Sequence, residues 1–420
     1  MGVVAVCALT AAAAPSVTVR SLKATANVPH VVTVTYTLGE DAIVTMDVKT
    51  NGASVAGSAL WSAGGDVNRK VKATVADEVR TIFWCPDATF EGHSLDGGDV
   101  SVELKAWSLQ TPPDYMVVDL RTPSNVTYYA SAEAVPGGVQ DVRYKSDRLL
   151  MRKIPAKGVR WVMGIAASDS GSVSSGLASR ALRHKVKLTH DYYFGVYQIT
   201  GAQYQLINNS TLSSSHLPAN WLSYSTLRGS SEGAKWPQFD SDGEFDPEAS
   251  HAVDSTSWLG KLRKLTGFQW LDLPTEAQFE FAARACASGL LPGGEAYTQA
   301  NASLYARWAA NKNEPDCEGK CNGLATVGSY KANNWGLYDV IGNGFQWCVD
   351  RYSNWSVDGT DPFAEQVDPA GAGESSSLRA VRGTDYDASF TYGAFLPWRN
   401  GYESGASSGY FTCRLALTLY

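Results

Sequence analysis

Short runs of alternating apolar and polar residues dominate the first hundred positions of the chain. The runs Val31–Tyr36, Ala42–Val48, Arg80–Trp84 and Val100–Leu104 are rich in β-branched and aromatic residues, and Gly, Asn and Asp separate them at hairpin-like intervals. A period of two bounded by such turn residues indicates antiparallel strands with one buried face. Residues 15–110 are therefore predicted to form an all-β sandwich of the immunoglobulin-like type.

The pattern changes after a Pro-Pro pair, and 111–148 is predicted to be a connector with short strands. Residues 149–420 contain few regular segments, and Gly, Asn, Ser and Trp fill the loops between them. Two helices are predicted, one from Thr275 to about Ala285 and one over Ser255–Leu265. Thr275 begins a capping box, with Gln three residues later. The whole chain is therefore predicted to be α+β and rich in loops.

Bulk properties exclude some classes of function. The 420 residues are 44% hydrophobic and 11% aromatic, enough for packed cores, and 39 are Gly. The net charge is −7 and the 35 Lys and Arg residues form no block, so a nucleic-acid ligand is not expected. No stretch reaches the roughly 20 apolar residues that span a bilayer, so no transmembrane segment is expected.

Residues 1–14 are apolar and end in small residues, like the core and cleavage region of a secretory signal. They lack a basic start, so the segment is interpreted as a truncated signal, or alternatively as an N-terminus without structure. A signal predicts a secreted or cell-surface bacterial protein, with association with a virion as a further option. In an oxidising compartment Cys317 and Cys321 could form a small-loop disulfide. A zinc site is disfavoured because no second Cys/His pair stands nearby.

Four blocks in the second half occur in a recognisable order. They are Met151–Pro155 with Trp161–Gly164, His190–Tyr204, Leu273–Arg284 (LPTEAQFEFAAR) and Asn334–Trp347 (NWGLYDVIGNGFQW). Together they resemble the formylglycine-generating (sulfatase-modifying) enzyme family, a variant of the C-type lectin fold. The resemblance implies that the first block is an opening pair of strands. Helix capping and core packing explain these residue types too, so the blocks identify a fold and leave activity open.

The resemblance also implies a calcium loop. The matching ligand positions are Asp339, Gly342, Gly344 and Gln346, and calcium accepts neutral oxygen donors beside a carboxylate. Gln346 replaces a carboxylate of the family, which removes charge and is expected to weaken binding; a tight Gly-Asn turn without an ion is the alternative. A second family calcium site is expected to be lost, because Arg307 stands where an oxygen ligand belongs.

The catalytic residues of the family are missing. Its reaction oxidises a substrate cysteine, and the resemblance implies a pair of thiolates that hold copper. Alignment from Arg382 places those positions on Ala388 and Gly393, whereas alignment on the following Asp-Ala-Ser moves the second to Thr391. No Cys lies between Cys348 and Cys413, and neither hydroxyl nor methyl replaces a thiolate. Oxidase activity and a copper cofactor are therefore not expected.

Residues 384–411 have the composition of a binding surface. Tyr and Trp supply large contact areas, and Ser, Gly and Asn supply adaptable hydrogen bonds. The segment resembles the C-terminal variable region of proteins diversified by retroelements, in which scattered Asn codons are mutated. The candidate ligand-binding residues are Asp385, Tyr386, Asp387, Ser389, Thr391, Tyr392, Phe395, Trp398, Asn400, Tyr402, Glu403, Ser407, Ser408 and Tyr410.

The leading hypothesis is therefore a non-catalytic display protein that binds a protein or glycan on another cell or virion. The first alternative is an adhesin of fixed specificity for a glycan or protein, with loops that drifted after activity was lost. The second is a residual formylglycine-generating oxidase. An iron-dependent sulfur-transfer enzyme is disfavoured, because His30 and His93 lack ligand spacing.

Overall fold

A computed structural model describes residues 15–420 apart from 28, 56, 89–99, 167–168, 209–214, 354–364 and 372–375. The predicted signal segment 1–14 and His93 lie outside the described residues. The chain divides into two compact units. Unit 1 holds the described residues up to Tyr115 together with Thr127–Val139, and unit 2 holds Met116–Val126 and Gln140–Tyr420. The segment predicted as a connector is thus shared between the two units.

Strands outnumber helices in the described part of the chain. The strands are β1 Val17–Ala24, β2 Val32–Leu38, β3 Ala42–Thr50, β4 Ala53–Ser54, β5 Gly64–Gly65, β6 Arg69–Val71, β7 Arg80–Trp84, β8 Val100–Trp107, β9 Tyr115–Asp119, β10 Val126–Tyr129, β11 Arg148–Ile154, β12 Val159–Met163, β13 His184–Leu188, β14 Tyr192–Gly195, β15 Leu271–Asp272, β16 Phe345–Arg351, β17 Gln366–Val367, β18 Leu378–Arg382, β19 Arg399–Glu403, β20 Phe411–Thr412 and β21 Ala416–Thr418.

The helices are short. The α-helices are α1 Arg143–Ser146, α2 Ser175–Ala178, α3 Gly201–Asn208, α4 Tyr224–Arg228, α5 Pro247–Ser250, α6 Trp258–Thr266, α7 Glu276–Arg284, α8 Gln299–Tyr305 and α9 Phe390–Gly393. Single 3₁₀ turns cover Gly57–Leu60, Pro86–Ala88, Ser170–Ser172 and Glu232–Lys235. No helix among the described residues is long and apolar enough to cross a membrane.

Unit 1 is rich in sheet. One sheet has the strand order β1-β2-β7-β5, and in the other β3 pairs with β4, β6 and β8. Alternate residues of β2 are buried, and they join apolar residues of β3, β6, β7 and β8 in one core. The four predicted strands are confirmed as β2, β3, β7 and β8; β2 buries one face, whereas β3 is buried on both. The assignment to the immunoglobulin class stays a prediction.

Unit 2 is a mixed α+β domain. Strands β9, β11, β14, β21 and β15 lie side by side in that order, and a second sheet has the order β19-β18-β16-β20. The expected opening strand pair is wrong in one respect: β11 pairs with β14, and β12 pairs with β13. Each of these strands pairs with a strand that lies further along the chain. The fact that β11 and β12 are adjacent in sequence therefore did not predict their partners.

Both predicted helices are present. Thr275 caps α7 and accepts from the N–H of Gln278, whose side chain accepts in turn from the Thr275 N–H, so the capping box is confirmed. Ser257 caps α6 and accepts from the N–H of Gly260, so this helix begins at Trp258, three residues later than predicted. Helix α7 packs against β16 and β18 and thereby supports the C-terminal segment.

Candidate functional site

The C-terminal segment forms two loops that connect strands of the second sheet of unit 2, the first between β18 and β19 and the second between β19 and β20. The first loop leaves β18 after Arg382 and returns at Arg399, and these two residues pair across the antiparallel strands. The second loop follows β19 and ends where Phe411 pairs with Phe345 of β16. The start of the first loop meets the end of the second, where the rings of Tyr386 and Tyr410 lie 5.1 Å apart.

Buried ion pairs fix the first loop at both ends. Arg399 donates from Nε to Glu276 over 2.8 Å, and Arg382 pairs with both Glu280 and Glu276. Burial opposes ionisation of Glu280, but the charges of Arg284 and Arg382 outweigh it and lower the pKa of this carboxyl to about 2. Helix α7 therefore supplies the carboxylates that hold β18 and β19 where the loop begins and ends.

An aromatic layer lies under the two loops. The ring of Trp398 stacks on Phe345 with centroids 5.1 Å apart, and Tyr402 and Phe411 approach the same ring to 5.7 Å and 5.6 Å. Phe345 and Trp398 are almost fully buried. Such packing gives the loops a rigid base, because aromatic residues carry few rotatable bonds.

The fourteen predicted ligand-binding residues differ in exposure. The exposed ones are Asp387, Ser389, Tyr392, Glu403 and Ser407, and the half-buried ones are Tyr386, Asn400, Tyr402, Ser408 and Tyr410. Asp385, Phe395 and Trp398 are buried, and the side chain of Thr391 lies outside the description. Phe395 is 0% exposed, so its assignment as a contact residue is wrong. A long loop buries some of its own side chains as it folds back on the domain. Phe395 is one of these, because it packs beneath the surface.

A concave pocket opens on this surface. Its volume is about 480 Å³, and its walls are Asp385, Ala388, Tyr392, Trp398 and Asn400 from the first loop and 174–177 with Arg180 around α2. The Nη1 of Arg180 donates to Oδ1 of Asn400 over 3.3 Å, which joins the two walls. Burial raises the pKa of Asp385. The pocket thus combines an aromatic wall with a carboxyl, an amide and a guanidinium.

Trp221 is a surface residue that sequence reasoning missed. Its side chain is 65% exposed, and its backbone is left-handed with φ of 59°. Hydrogen bonds hold it against the second loop: its N–H donates to the carbonyl of Ser408 and its carbonyl accepts from Ser407. An exposed Trp held in an uncommon backbone conformation is typical of a binding residue. Its distance in sequence from 384–411 concealed it.

On one of the two alignments the resemblance assigns the catalytic cysteine positions to Ala388 and Gly393, and these two residues are neighbours in space; the other alignment places the second position at Thr391. Gly393 is buried, and a Cβ added to it would lie 2.4 Å from the Cβ of Ala388. Atoms do not approach so closely without displacement, so the present backbone does not accommodate a pair of cysteines here. Ala388 itself contributes only a methyl group to the pocket wall.

The remaining thiols lie elsewhere. Cys348 and Cys413 are buried, and burial raises the pKa of both well above the ordinary value, which keeps them protonated and unreactive. Cys286, Cys317 and Cys321 are exposed and unbridged in the structure, so it does not contain the predicted Cys317–Cys321 disulfide.

The predicted calcium loop is organised around an arginine. The buried guanidinium of Arg414 donates to the side-chain oxygen of Gln346 over 2.8 Å and to the carbonyls of Gly195, Val196, Tyr338 and Asp339. Gln198 donates to the carbonyl of Gly344 over 3.1 Å. Two of the four expected ligand oxygens therefore accept hydrogen bonds from protein side chains.

These residues fit a calcium ion poorly. One oxygen of Asp339 is buried without a partner in the described structure, and burial raises the pKa of this carboxyl to about 6, which is what a missing cation would produce. However, Asp339 is the single anion of the expected set, and the cation Arg414 already lies against it. No cluster of three or more His, Cys, Asp or Glu among the described residues has metal-binding geometry. Calcium stays a prediction that the donor set does not favour.

Arg307, at the second expected calcium site, follows the same pattern. It is fully buried and donates to the carbonyls of Lys312, Glu314 and Gly323. The guanidinium of Arg307 therefore binds carbonyl oxygens in the way that a metal cation would.

Calcium is expected to leave the stability of the protein unchanged, because Arg414 already provides the positive charge at Asp339. The measurement is the melting temperature with excess calcium and with a chelator. Asp339→Asn is the matched control, since Asn tolerates the left-handed backbone at this position, where φ is 53°. A calcium-dependent rise in the wild-type protein that Asp339→Asn abolishes would establish the ion and refute the prediction.

Known proteins resemble unit 2. A family model described as a sulfatase-modifying factor enzyme 1-like domain matches residues 164–419. The formylglycine-generating enzyme of Thermomonospora curvata is 30% identical over 160 residues, which is 37% of this chain and only 51% of that enzyme's length. The chaperone protein LppX of Paenibacillus barcinonensis is 26% identical over 230 residues, covering 46% of this chain and 80% of that protein.

Two solved structures are similar in backbone. Treponema denticola variable protein 1 has a TM-score of 0.45 and 19% identity, covering 64% of this chain and 95% of that one. PvdO from Pseudomonas aeruginosa has a TM-score of 0.45 and 18% identity, covering 64% of this chain and 94% of its own.

Proposed function

We propose that this chain, which belongs to the sulfatase-modifying factor enzyme 1-like family, is a non-catalytic protein that binds a macromolecular ligand through its C-terminal loops. The proposal rests on the sequence alignment, which places Ala388 and either Gly393 or Thr391 at the positions of the family's cysteine pair. A methyl group and a hydrogen neither hold copper nor activate oxygen. The loops around those two positions carry the exposed polar and aromatic groups instead.

The C-terminal surface has the properties of a protein or glycan contact. The pocket beside Tyr392 and Asn400 offers an aromatic face with directed polar groups, which is the usual composition of a binding site. Tyr392 is 60% exposed and Trp221 is 65% exposed, so these two side chains are the best placed to enter a ligand surface. Trp398 is almost fully buried on Phe345 and offers little surface to a ligand.

We further infer that 384–411 is diversified by a retroelement. Mutated Asn codons can produce four of its exposed residues, Asp387, Ser389, Tyr392 and Ser407, although not Glu403. The positions that hold the loops in place, Arg382, Arg399 and Phe345, are buried. A rigid base with variable outward side chains would let one scaffold bind different ligands. The ligand is proposed to lie on another cell or a virion, with this protein secreted or held at the cell surface.

A turnover assay separates binding from catalysis. The full chain is incubated with copper, oxygen and a cysteine-containing sulfatase-type peptide, and the peptide is analysed by mass spectrometry. We expect no formylglycine above the level seen with copper and peptide alone. The formylglycine-generating enzyme of Thermomonospora curvata serves as the positive control. Formylglycine formed by this chain would overturn the non-catalytic proposal and favour a residual oxidase.

A further inference from the structure

The pocket beside Tyr392 contains an arginine that has no ion-pair partner among the described residues. Arg180 lies on the wall of this pocket near α2, and it is half-buried. The two buried carboxylates beneath the first loop, Glu276 and Glu280, are already paired with other arginines, namely Arg284, Arg382 and Arg399. Arg180 is therefore available to an anionic group of a ligand.

The guanidinium of Arg180 reaches across the pocket and keeps accessible donors. Its Nη1 donates to Oδ1 of Asn400 on the opposite wall over 3.3 Å, which orients the side chain. Its Nε and Nη2 donate to none of the described residues, and neither belongs to the fully buried atoms that lack a partner. These N–H groups therefore remain open to a ligand. The planar fork of a guanidinium is suited to two parallel hydrogen bonds with a carboxylate.

Asp385 is the second charged group of the pocket, and it limits which anion fits. Its Oδ1 accepts from the N–H of Asp387 over 2.6 Å, so its own loop holds the carboxyl in place. A ligand that satisfies the pocket has to bring a carboxylate to Arg180 and a hydrogen-bond donor to Asp385. A sugar acid carries a carboxylate and hydroxyl donors on one ring. The side chain of Asp or Glu, in contrast, carries no donor and would meet a second carboxyl at Asp385.

The remaining walls also suit a sugar ring. The volume of about 480 Å³ lies in the range of small-molecule sites and exceeds what a carboxylate alone would fill. Tyr392 is 60% exposed, so its ring offers an apolar face to the C–H groups of a sugar. Ser174 and Ser175 add hydroxyl groups to the lining. The pocket thus offers an aromatic face, an accessible cation and several acceptors for hydroxyl groups.

We propose that this pocket binds an acidic sugar unit of a glycan, with the carboxylate on Arg180, a hydroxyl on Asp385 and the ring against Tyr392. The inference rests on the proposed ligand-binding function and names the class of ligand. Arg180 lies outside 384–411, so diversification of that segment would leave it in place. Different versions of the loops would then share the carboxylate contact and differ in the groups around it.

The test measures the preference of the full chain for an acid over its amide. The probes are the methyl glycosides of glucuronic acid and N-acetylneuraminic acid, each with its carboxamide, which keeps the shape and removes the charge. NMR titration gives their affinities for the wild type, Arg180→Met and Arg183→Met. The wild type is expected to bind at least one acid about tenfold more tightly than its amide, and Arg180→Met is expected to lose this preference. Arg183→Met is expected to keep it, because Arg183 is exposed and lines a different cavity.

The outcome is read against the melting temperature of each variant. Arg180→Met is expected to melt like the wild type, because its side chain makes a single hydrogen bond to the described residues. If it melts lower, Arg180→Lys takes its place and is expected to keep part of the preference, since lysine retains the charge without the paired donors. Equal affinities for acid and amide in the wild type, or a preference that persists in Arg180→Met, would overturn the proposal.

Two further outcomes separate this inference from the function on which it rests. Tighter binding of N-acetylglutamate methylamide than of either sugar acid would refute the acidic sugar and assign the pocket to an acidic protein. Failure of every probe to bind, with no formylglycine in the turnover assay, would overturn the acidic sugar alone and leave the non-catalytic binding function. Formylglycine in that assay would instead overturn the binding function itself.

Discussion

Arg414→Met is expected to lower the free energy of unfolding of unit 2 by about 4 kcal/mol, or to prevent its folding. The guanidinium of Arg414 is fully buried and donates five hydrogen bonds, four to carbonyls and one to Gln346. Methionine fills a similar volume but leaves those oxygens without these donors. Asp339 would also lose the one arginine that lies against it.

The measurement for Arg414→Met is urea denaturation, comparing unfolding midpoints at a shared slope. Arg160→Met is the matched control, because Arg160 lies in the same unit with a side chain 65% exposed and a single ion pair to Glu365. An exposed pair contributes about 1 kcal/mol or less. If the free energy of unfolding falls equally in the two variants, Arg414 does not organise the loop around Asp339. A calcium ion would then again be the favoured explanation of that loop.

Glu280→Gln is expected to lower the free energy of unfolding at neutral pH by about 3 kcal/mol. The Glu280 carboxylate is fully buried, pairs with Arg284 and Arg382, and accepts from the N–H of Gly164. Glutamine keeps the shape but leaves two buried cations with less negative charge. Because Arg382 is where the first C-terminal loop begins, the loop is expected to lose order along with the helix.

The Glu280 prediction has a pH signature. The pKa of this carboxyl falls from 4.5 to about 2 on folding, so the folded state binds fewer protons than the unfolded state between those values. The stability it contributes is therefore complete above about pH 4.5 and is lost as the pH falls towards 2. The gap in melting temperature between wild type and Glu280→Gln should shrink over that window. Glu232→Gln, at an exposed pair with Lys235, is the control. A gap that is constant with pH would show that the charge of Glu280 is not what stabilises the fold.

Local signals in the sequence were the reliable ones. The capping box at Thr275 and the alternation of β2 depend on residues a few positions apart, and both appear as predicted. Strand pairing depends on distant partners, so β11 and β12 were wrongly placed together. The exposure of individual loop residues depends in the same way on how the loop folds back, which is why Phe395 was assigned to the surface.

The buried arginines were the least predictable feature. Arginine is normally exposed, and nothing near Arg414 in sequence indicates that four carbonyls, from residues 195–196 at the end of β14 and from residues 338–339, converge on it. Trp221 was missed for a similar reason. It lies far from the second loop in sequence and meets it only in the folded chain, through hydrogen bonds to Ser407 and Ser408. The expected loss of the cysteine pair, in contrast, is an inference from sequence alignment alone. The structure adds that Ala388 and Gly393, the two positions of one alignment, lie together and are closely packed.

The claim that 384–411 is a diversified ligand-binding surface is tested most directly by sequencing the DNA beside this gene in several isolates. A near-copy of the codons for 384–411, differing mainly where the copy has adenine, is the expected result. Differences among isolates should concentrate on exposed positions such as Tyr392 and Ser407 and spare the buried Arg399. Identical codons in every isolate and no near-copy would contradict the claim and leave a binding site of fixed specificity.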